Sequence, residues 1–470
     1  MTTAAPHEGA ADAVRRDPGS FRDPSGFVYR REGEIYRQIQ PSFADRWAAV
    51  EASGVLERLI TDGKMLPYQD AALELAAAPG AARVIKPAIV PFISYPYEWS
   101  FDQLRDAALL TLDLEEAALG AGLTLRDASA YNVQFLGARP VHIDHLSFEP
   151  AEPGKPWIAY RQFCEHFLGP LALMAKRDIR LGRLLRSELD GIPLDLVSKL
   201  LPASTRIRLG LGAHVHLHAR AQRRYAGAGE AAAERVASTR KINVANLVTS
   251  LRDTIKGLTW EPAGTEWADY DTNTSYDAGA TASKERLVAE FLDRTTGSTV
   301  WDLGANTGRF SRIAADGGRN VVAMDIDPAA VDRNYRALRK EGREDILPIV
   351  MDLADPSPAL GWAHEERASL TDRAAADTLL ALALVHHLAI GRNIPLPRIA
   401  EQLAKLGPQL IIEFVPREDP MVRQLLATRE DVFPDYNPDG FAAAFATRYE
   451  TLATAPVEGS GRVLHLLRRR

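Results

Sequence analysis

One stretch of the chain, VWDLGANTGRFSRIAADGGRNVVAMDID, constrains the fold more than any other. Its apolar start, residues 300–303, suits a buried parallel strand. Gly304 and Gly308 then bracket a turn in which the backbone can take unusual dihedral angles and approach a ligand closely. A helix is predicted over residues 309–315 and a second strand over residues 321–324. The order strand, glycine turn, helix, strand predicts an α/β fold with a ligand site at the turn.

Two acidic residues make the predicted ligand more specific. Asp302 lies just before the turn, and Asp325 ends the second strand, about 20 residues further on. A carboxylate in the position of Asp325 can accept hydrogen bonds from both hydroxyls of an adenosine ribose. The turn lacks the third glycine of a dinucleotide fingerprint, and an acid at position 302 suits a cationic ligand better than a diphosphate. These residues favour S-adenosylmethionine over NAD as the cofactor.

The same stretch resembles the first motif of the class I methyltransferases, D-x-G-x-x-x-G, although Asn306 stands where a glycine is commoner. The resemblance implies a set of cofactor-binding residues: Asp302, Gly304, Asn306 and Gly308 at the methionine part, Asp325 at the ribose, and Asp352 and Leu353 at the adenine. Further strands are predicted over residues 346–351, 376–385, 409–415, 449–452 and 463–467. Their number fits a Rossmann-like, seven-stranded class I methyltransferase sheet.

Candidate catalytic residues lie at the fourth and fifth strands of this sheet. His386 and His387 end the predicted fourth strand and match the family's fourth motif, which lies beside the transferable methyl group. Histidine titrates near neutrality and suits a general base if the acceptor is a hydroxyl. Neighbouring residues of a strand point to opposite faces, so only one of the two can serve. Glu413 is a second candidate, and the alternative is that both histidines only shape the pocket.

A second group of motifs lies in the first half of the chain. Asp127 is followed by Asn132 at D-x-x-x-x-N spacing and by Asp144 further on. In kinases and small-molecule phosphotransferases, residues in this order orient the acceptor hydroxyl, bind a metal and hold magnesium against the nucleotide phosphates. The half therefore resembles an α+β kinase-like domain with a helical extension. Arg37 stands where kinases have a lysine, so working phosphotransfer and three residues that only brace a loop both remain open.

Composition narrows the function classes further. The formal charge of −6 gives no electrostatic reason to expect a nucleic-acid substrate. The single cysteine, Cys164, excludes an intramolecular disulfide and fits a reducing compartment. No apolar run is long enough for a membrane span, and the first 20 residues have no apolar signal core. We expect a cytoplasmic protein with a disordered leader over residues 1–20, and no metal site is predicted.

A resemblance over residues 20–470 follows from segments in both halves, including LRDASAYNVQF, HIDHLSF, DLGANTGRFS and LALVHHLAIGRNIPL. Together they resemble the bacterial S-adenosylmethionine-dependent methyltransferases related to the nodulation protein NoeA. The predicted domains are the leader, a kinase-like or pseudokinase domain over residues 21–258, and a class I methyltransferase domain over residues 259–470.

The resemblance implies methyl transfer to a small-molecule or glycan acceptor of carbohydrate or envelope type, which the sequence does not identify. Residues 429–436 mix charges with aromatic rings where class I enzymes insert acceptor-binding elements. The kinase-like half would help to bind the substrate or regulate the enzyme. Two alternatives remain: a bifunctional kinase-methyltransferase that also uses Mg-ATP, and a non-catalytic binding or scaffold protein. The sequence does not fix the oligomeric state.

Overall fold

The computed structural model describes residues 14–225, 243–262, 278–427 and 430–470. Its strands are β1 Arg15–Arg16, β2 Gly26–Arg31, β3 Glu34–Ile39, β4 Tyr68–Ala71, β5 Arg83–Pro87, β6 Leu123–Leu125, β7 Val133–Leu136, β8 Arg139–His142, β9 Phe148–Pro150, β10 Thr299–Leu303, β11 Asn320–Asp325, β12 Ile346–Val350, β13 Thr378–Ala381, β14 Gln409–Phe414, β15 Tyr449–Pro456 and β16 Val463–Arg469.

Its α-helices are α1 Ala44–Ala52, α2 Val55–Thr61, α3 Phe101–Gly120, α4 Tyr160–Phe163, α5 Gly169–Lys176, α6 Leu194–Leu200, α7 Leu209–Leu211, α8 His218–Tyr225, α9 Val244–Lys256, α10 Ala278–Asp293, α11 Arg309–Asp316, α12 Pro328–Glu341, α13 Leu396–Leu406, α14 Pro420–Leu426 and α15 Pro438–Ala446. No helix in the described ranges combines the length and the apolar character needed to cross a membrane.

The first half begins with a five-stranded antiparallel sheet in the order β1-β2-β3-β5-β4. Its central hairpin turns at Glu32 and Gly33, both of which take positive φ values, 52° and 80°. Strand β1 contains Arg15 and Arg16 and pairs with β2. The predicted disordered leader therefore does not extend to residue 20, because backbone hydrogen bonds already hold the chain at this edge.

Helix α3 follows this sheet, and its amino terminus is capped by Ser100, whose hydroxyl accepts a hydrogen bond from the Gln103 backbone N–H. Two small antiparallel pairs come next, β6 with β9 and β7 with β8. Asp127 and Asn132 lie between β6 and β7, and Asp144 lies between β8 and β9. The helical part of the half extends from α4 to α9.

The second half contains a seven-stranded sheet in the order β12-β11-β10-β13-β14-β16-β15. Strands β10 to β14 pair in parallel, and β16 pairs antiparallel with both β14 and β15. The apolar side chains of the parallel strands are buried on both faces by flanking helices, as expected for such a sheet. The predicted α/β sheet of seven strands is confirmed.

The fourth strand of this sheet is shorter than predicted. Strand β13 ends at Ala381, and Ala383 takes a positive φ of 51°, which turns the chain out of the sheet. His386 and His387 therefore lie in a helical turn rather than on the strand. The long apolar run did not reveal this turn, because a buried strand and a buried helical turn have the same composition.

The two halves meet across a buried interface. Helix α12 packs against α3, and the backbone N–H of Asp102 donates a hydrogen bond of 2.8 Å to the buried carboxylate of Asp332. Arg373 and Glu98 form a buried ion pair at 2.5 Å across the same junction. One continuous cluster of buried apolar side chains includes residues from both halves. The boundary at residue 258 stays a prediction, and the interface indicates that the halves stabilise one another.

Candidate active site

A cavity of about 500 Å³ opens at the carboxyl ends of strands β10 to β13, beneath α10 and α11. This edge is where parallel α/β sheets bind their ligands. Six of the predicted cofactor residues line it: Asp302, Gly304, Asn306, Asp325, Asp352 and Leu353. The seventh, Gly308, is the N-cap residue of α11.

The turn between β10 and α11 is built by three residues with positive φ. Gly304 and Gly308 both have φ values of 81°, and Asn306 has a φ of 48°. Asn306 tolerates this conformation because its side-chain carbonyl accepts the backbone N–H of the next residue at 2.8 Å. A Cβ atom on Gly308 would lie 2.5 Å from Nδ2 of the buried Asn334. The glycine at 308 is therefore required both by its dihedral angles and by its neighbour.

Two buried carboxylates stand side by side in the cavity wall. Asp325 accepts hydrogen bonds from the backbone N–H groups of Asn306 and Asp327, each at 2.8 Å. Asp302 accepts a hydrogen bond from the Ser311 hydroxyl at 2.7 Å. Neither carboxylate forms an ion pair with a cation in the described part of the chain. Burial raises the pKa of each to about 6, although the hydrogen bonds to each carboxylate oppose this rise.

The far wall of the cavity comes from the end of β12. Asp352 accepts the backbone N–H of Ala354 at 2.9 Å and lies 3.3 Å from a guanidinium nitrogen of Arg392. Met351 and Leu353 on either side of it add apolar surface to the wall. The arrangement presents one hydrogen-bonding edge between two apolar side chains.

The three predicted catalytic residues do not come together in the cavity. His387 lines it, and burial lowers the pKa of its ring to about 4, with a further lowering from the positive charge of Arg462. His386 is completely buried outside the lining, and neither of its ring nitrogens has a hydrogen-bond partner among the described residues. Burial holds the pKa of His386 well below its ordinary value. Of the two histidines, the geometry thus favours His387 as the candidate general base.

Glu413 is also fully buried and lies behind the cavity wall. Its Oε2 atom accepts hydrogen bonds from Nζ of Lys284 and from the backbone N–H of Ala383, each at 2.7 Å. Both of these partners line the cavity. Glu413 therefore holds two pieces of the wall together and is not placed to accept a proton from a ligand.

Several lining residues were not predicted as site residues from the sequence. Thr281 and Lys284 reach the cavity from α10, and Leu425 reaches it from α14. No motif marks them, because they arrive from elements distant in sequence. The charged and aromatic character of residues 429–436 was a partial signal for the region around Leu425. Residues 428 and 429 lie outside the described ranges.

The motif residues of the first half form a different kind of site. Arg37 on β3 lies 2.5 Å from the Asp144 carboxylate, and the Ser147 hydroxyl donates a short hydrogen bond to the same group. Burial would raise the pKa of Asp144, but Arg37 and Ser147 more than offset this and hold it well below its ordinary value. Asp127 accepts the backbone N–H of Ser129 at 2.9 Å. Within the described ranges, no group of three or more His, Cys, Asp or Glu residues is placed to hold a metal ion.

The strand order of the second half, with a glycine turn and two buried aspartates at the ligand-binding edge of the sheet, is that of the class I methyltransferase fold. No family model matches the chain. The chain is 36% identical over 478 residues to the nodulation protein NoeA of Rhizobium meliloti (strain 1021), an alignment that covers 100% of this chain and 98% of that protein. The chain therefore belongs to the NoeA family.

Solved methyltransferase structures resemble only part of the chain. Magnesium protoporphyrin IX methyltransferase from Synechocystis PCC 6803 with bound SAH is 14% identical, with a TM-score of 0.31, over 43% of this chain and 96% of that chain. N-methyltransferase NodS from Bradyrhizobium japonicum WM9 is 13% identical, with a TM-score of 0.31, over 41% of this chain and 98% of that chain.

Proposed function

We propose that the chain binds S-adenosylmethionine in the cavity of the second half and transfers its methyl group to an acceptor. The observation that carries the proposal is the pair of buried carboxylates, Asp302 and Asp325, that face one cavity and form no ion pair among the described residues. Burying ionisable groups in this way costs stability unless a ligand compensates. A cationic cofactor with ribose hydroxyls supplies both a positive charge and hydrogen-bond donors.

The residues of the cavity fit this cofactor at each of its three parts. Asp325 is placed to accept hydrogen bonds from the ribose hydroxyls, and the backbone at Gly304 allows close approach to the methionine part. Asp352 and Leu353 offer a polar edge and an apolar face to the adenine. Asp302 supplies negative potential near the sulfonium. These roles are carried over from the motif and agree with the positions of the residues in the cavity.

When bound, S-adenosylmethionine would supply an electrophilic methyl group on a cationic sulfur atom. The residues of the chain then have to align an acceptor, exclude water and remove a proton if the acceptor is a hydroxyl. His387 is the candidate for the last task, since it faces the cavity and its lowered pKa keeps the ring neutral near physiological pH. His386 and Glu413 have positioning roles behind it.

We propose a small molecule or a glycan of the cell envelope as the acceptor, in keeping with the nodulation role in the name of the relative. The acceptor would be bound by residues 417–439 together with the first half. Arg417 braces this segment, because its guanidinium contacts Asp431 and the backbone carbonyls of Phe433 and Tyr436. Leu425 in the same segment lines the cavity and links it to the cofactor site.

The cofactor assignment is tested by calorimetric titration of full-length protein with S-adenosylmethionine. Asp325→Ala should weaken binding by about 1.5 to 3 kcal/mol, the range for loss of a charged hydrogen-bonding partner. Asp316→Ala is the control, because that carboxylate is 65% exposed, pairs with Arg343 and does not line the cavity. Equal affinities for the two variants would reject the ribose role of Asp325, and no binding by the wild type would reject the proposal.

We also propose that the first half is a kinase-like domain that does not transfer phosphate. The order of β6, Asp127, Asn132, the β7–β8 hairpin and Asp144 supports the kinase-like assignment. The ion pair between Arg37 and Asp144 argues against phosphotransfer, because the carboxylate that would hold magnesium is already neutralised. Such a domain would bind the acceptor or regulate the second half.

Calorimetric titration with Mg-ATP distinguishes a kinase-like domain that does not transfer phosphate from a bifunctional kinase-methyltransferase. We expect no magnesium-dependent ATP binding by the wild type. Robust ATP turnover that is lost in both Asp127→Asn and Asp144→Asn would instead establish a bifunctional kinase-methyltransferase. Failure of the protein to bind either ATP or S-adenosylmethionine would favour the scaffold alternative.

A further inference from the structure

Three large aliphatic side chains project into solvent from one part of the helical region. Ile207, Leu209 and Leu217 are 88%, 94% and 60% exposed. Ile207 and Leu209 lie on adjoining short helical elements, and Leu217 ends the next one. A hydrogen bond of 2.8 Å between Thr205 and His216 ties the first of these elements to the last. Single exposed aliphatic residues are ordinary, but three on connected elements concentrate exposed apolar surface in one part of the helical region.

Exposed arginines flank the three aliphatic side chains. We use the name basic ridge for Arg206, Ile207, Arg208, Leu209, Leu217 and Arg220. None of the three arginines forms an ion pair with another residue in the described ranges. Neighbouring cations behave differently, since Arg180 pairs with Asp178 at 2.7 Å and Lys199 pairs with Asp195 at 3.0 Å. The charges of the basic ridge are thus available to a partner.

The local charge is opposite to that of the whole chain. Residues 176–220 contain nine lysines and arginines and four acidic residues, whereas the full chain has a formal charge of −6. The positive charges are also close together, because both Arg206 and Arg220 act on the buried His216, whose pKa is lowered first by burial and further by these two groups. The excess of positive charge is therefore a local surface property and not an average over the chain.

We infer that the basic ridge docks the protein on a membrane surface rich in anionic phospholipid. Arginines attract the negative headgroups, and the aliphatic side chains between them insert into the interface. A nucleic acid would also attract the arginines, but it would be met by aromatic stacking residues rather than by Ile207, Leu209 and Leu217. The inference is independent of the proposed methyl transfer and requires no membrane-spanning helix.

The experiment is co-sedimentation of full-length protein with vesicles of phosphatidylglycerol and phosphatidylcholine in equal parts, compared with vesicles of phosphatidylcholine alone. Binding should require phosphatidylglycerol and weaken in high salt. The double variant Arg208→Glu with Leu209→Ser should reduce binding by about fivefold or more, since each basic residue near an anionic surface contributes about fivefold in affinity.

The matched control is Lys86→Glu with Ile89→Ser, which makes the same charge change and removes one exposed aliphatic side chain from the loop that follows β5. Ile89 is 60% exposed, and Lys86 lies on β5. The control should bind vesicles as the wild type does. Equal binding by all three proteins, equal binding to neutral vesicles, or an equal loss in the control would each overturn the inference. So would tight binding to nucleic acid that is lost in the ridge variant while vesicle binding is absent.

Discussion

The two halves of the chain use aspartate at the ends of strands in opposite ways. In the second half, Asp302 and Asp325 face a cavity, form no ion pair among the described residues, and have pKa values that burial raises to about 6. In the first half, the side chain of Asp144 is 13% exposed, and Arg37 and Ser147 neutralise it and hold its pKa well below its ordinary value.

This difference in carboxylate partners distinguishes two kinds of site. In the second half the carboxylates form no ion pair, whereas in the first half the carboxylate is neutralised by side chains of the chain itself. Unpaired buried carboxylates destabilise the protein until something binds, whereas a paired carboxylate stabilises the fold and resists binding a metal. Sequence motifs do not distinguish these cases, because the aspartates are present in both. Whether a carboxylate has a cationic partner in the structure decides whether it can bind a ligand.

The largest expected effect is on the paired site. Arg37→Ala should lower the free energy of unfolding by about 3 kcal/mol, because it leaves the largely buried carboxylate of Asp144 without its cation. Urea denaturation of full-length protein would measure this. Arg398→Ala is the control, since that arginine is 72% exposed and its pair with Glu401 should contribute no more than about 1 kcal/mol. A small effect of Arg37→Ala would remove the distinction between the two sites.

A second prediction tests the glycine turn beside Asp302 and Asp325. Gly308→Ala should weaken S-adenosylmethionine binding by about 2 kcal/mol, because the new methyl group adds a strained positive φ and displaces Asn334. Gly318→Ala is a matched control: its φ is also 81°, but a Cβ atom there would meet nothing within 4 Å. It should lose some stability and keep its cofactor affinity. Titration calorimetry compares them, and equal affinities would contradict the model of the turn.

The sequence predicted the parts of the fold that depend on local pattern. The glycine turn and the alternation of apolar runs with helices predicted the seven-stranded sheet, and six of the residues predicted to bind the cofactor line one cavity. The turn at Ala383 was missed, because its positive φ has no residue signature in the printed sequence. The roles of Glu413 and Lys284 were missed for another reason: their contact joins residues 129 positions apart, and no local pattern encodes such a pair.

The third prediction concerns stability without ligand. Asp302→Asn should raise the free energy of unfolding of the cofactor-free protein by about 1 kcal/mol near pH 8, because the variant no longer buries an unpaired charge. Asp377→Asn, at the residue before β13, should do the opposite. Asp377 accepts hydrogen bonds from Ser298 and Thr299 that outweigh burial and lower its pKa. Thermal and urea unfolding test both signs, and destabilisation by Asp302→Asn would mean that its charge is satisfied within the chain.

The smallest expected effect, taken per carboxylate, is the pH dependence of cofactor binding. Because the folded-state pKa of Asp302 and Asp325 is raised from 3.8 to about 6, their contribution to stability is fully present below the ordinary value and is lost as the pH rises through about 6. A bound cation has the opposite preference, since it favours the ionised carboxylates. Affinity for S-adenosylmethionine should therefore be constant above about pH 7 and fall about fourfold for each carboxylate by about pH 5.5.

Calorimetry in buffers of different ionisation enthalpy measures both the affinity and the protons released on binding. Asp325→Asn should remove about half of the pH dependence, and Asp144→Asn should leave it unchanged, because the pKa of Asp144 lies well below this range. An affinity that does not vary with pH would show that Asp302 and Asp325 are already ionised without ligand. The contrast between the two halves would then rest on geometry alone and not on charge.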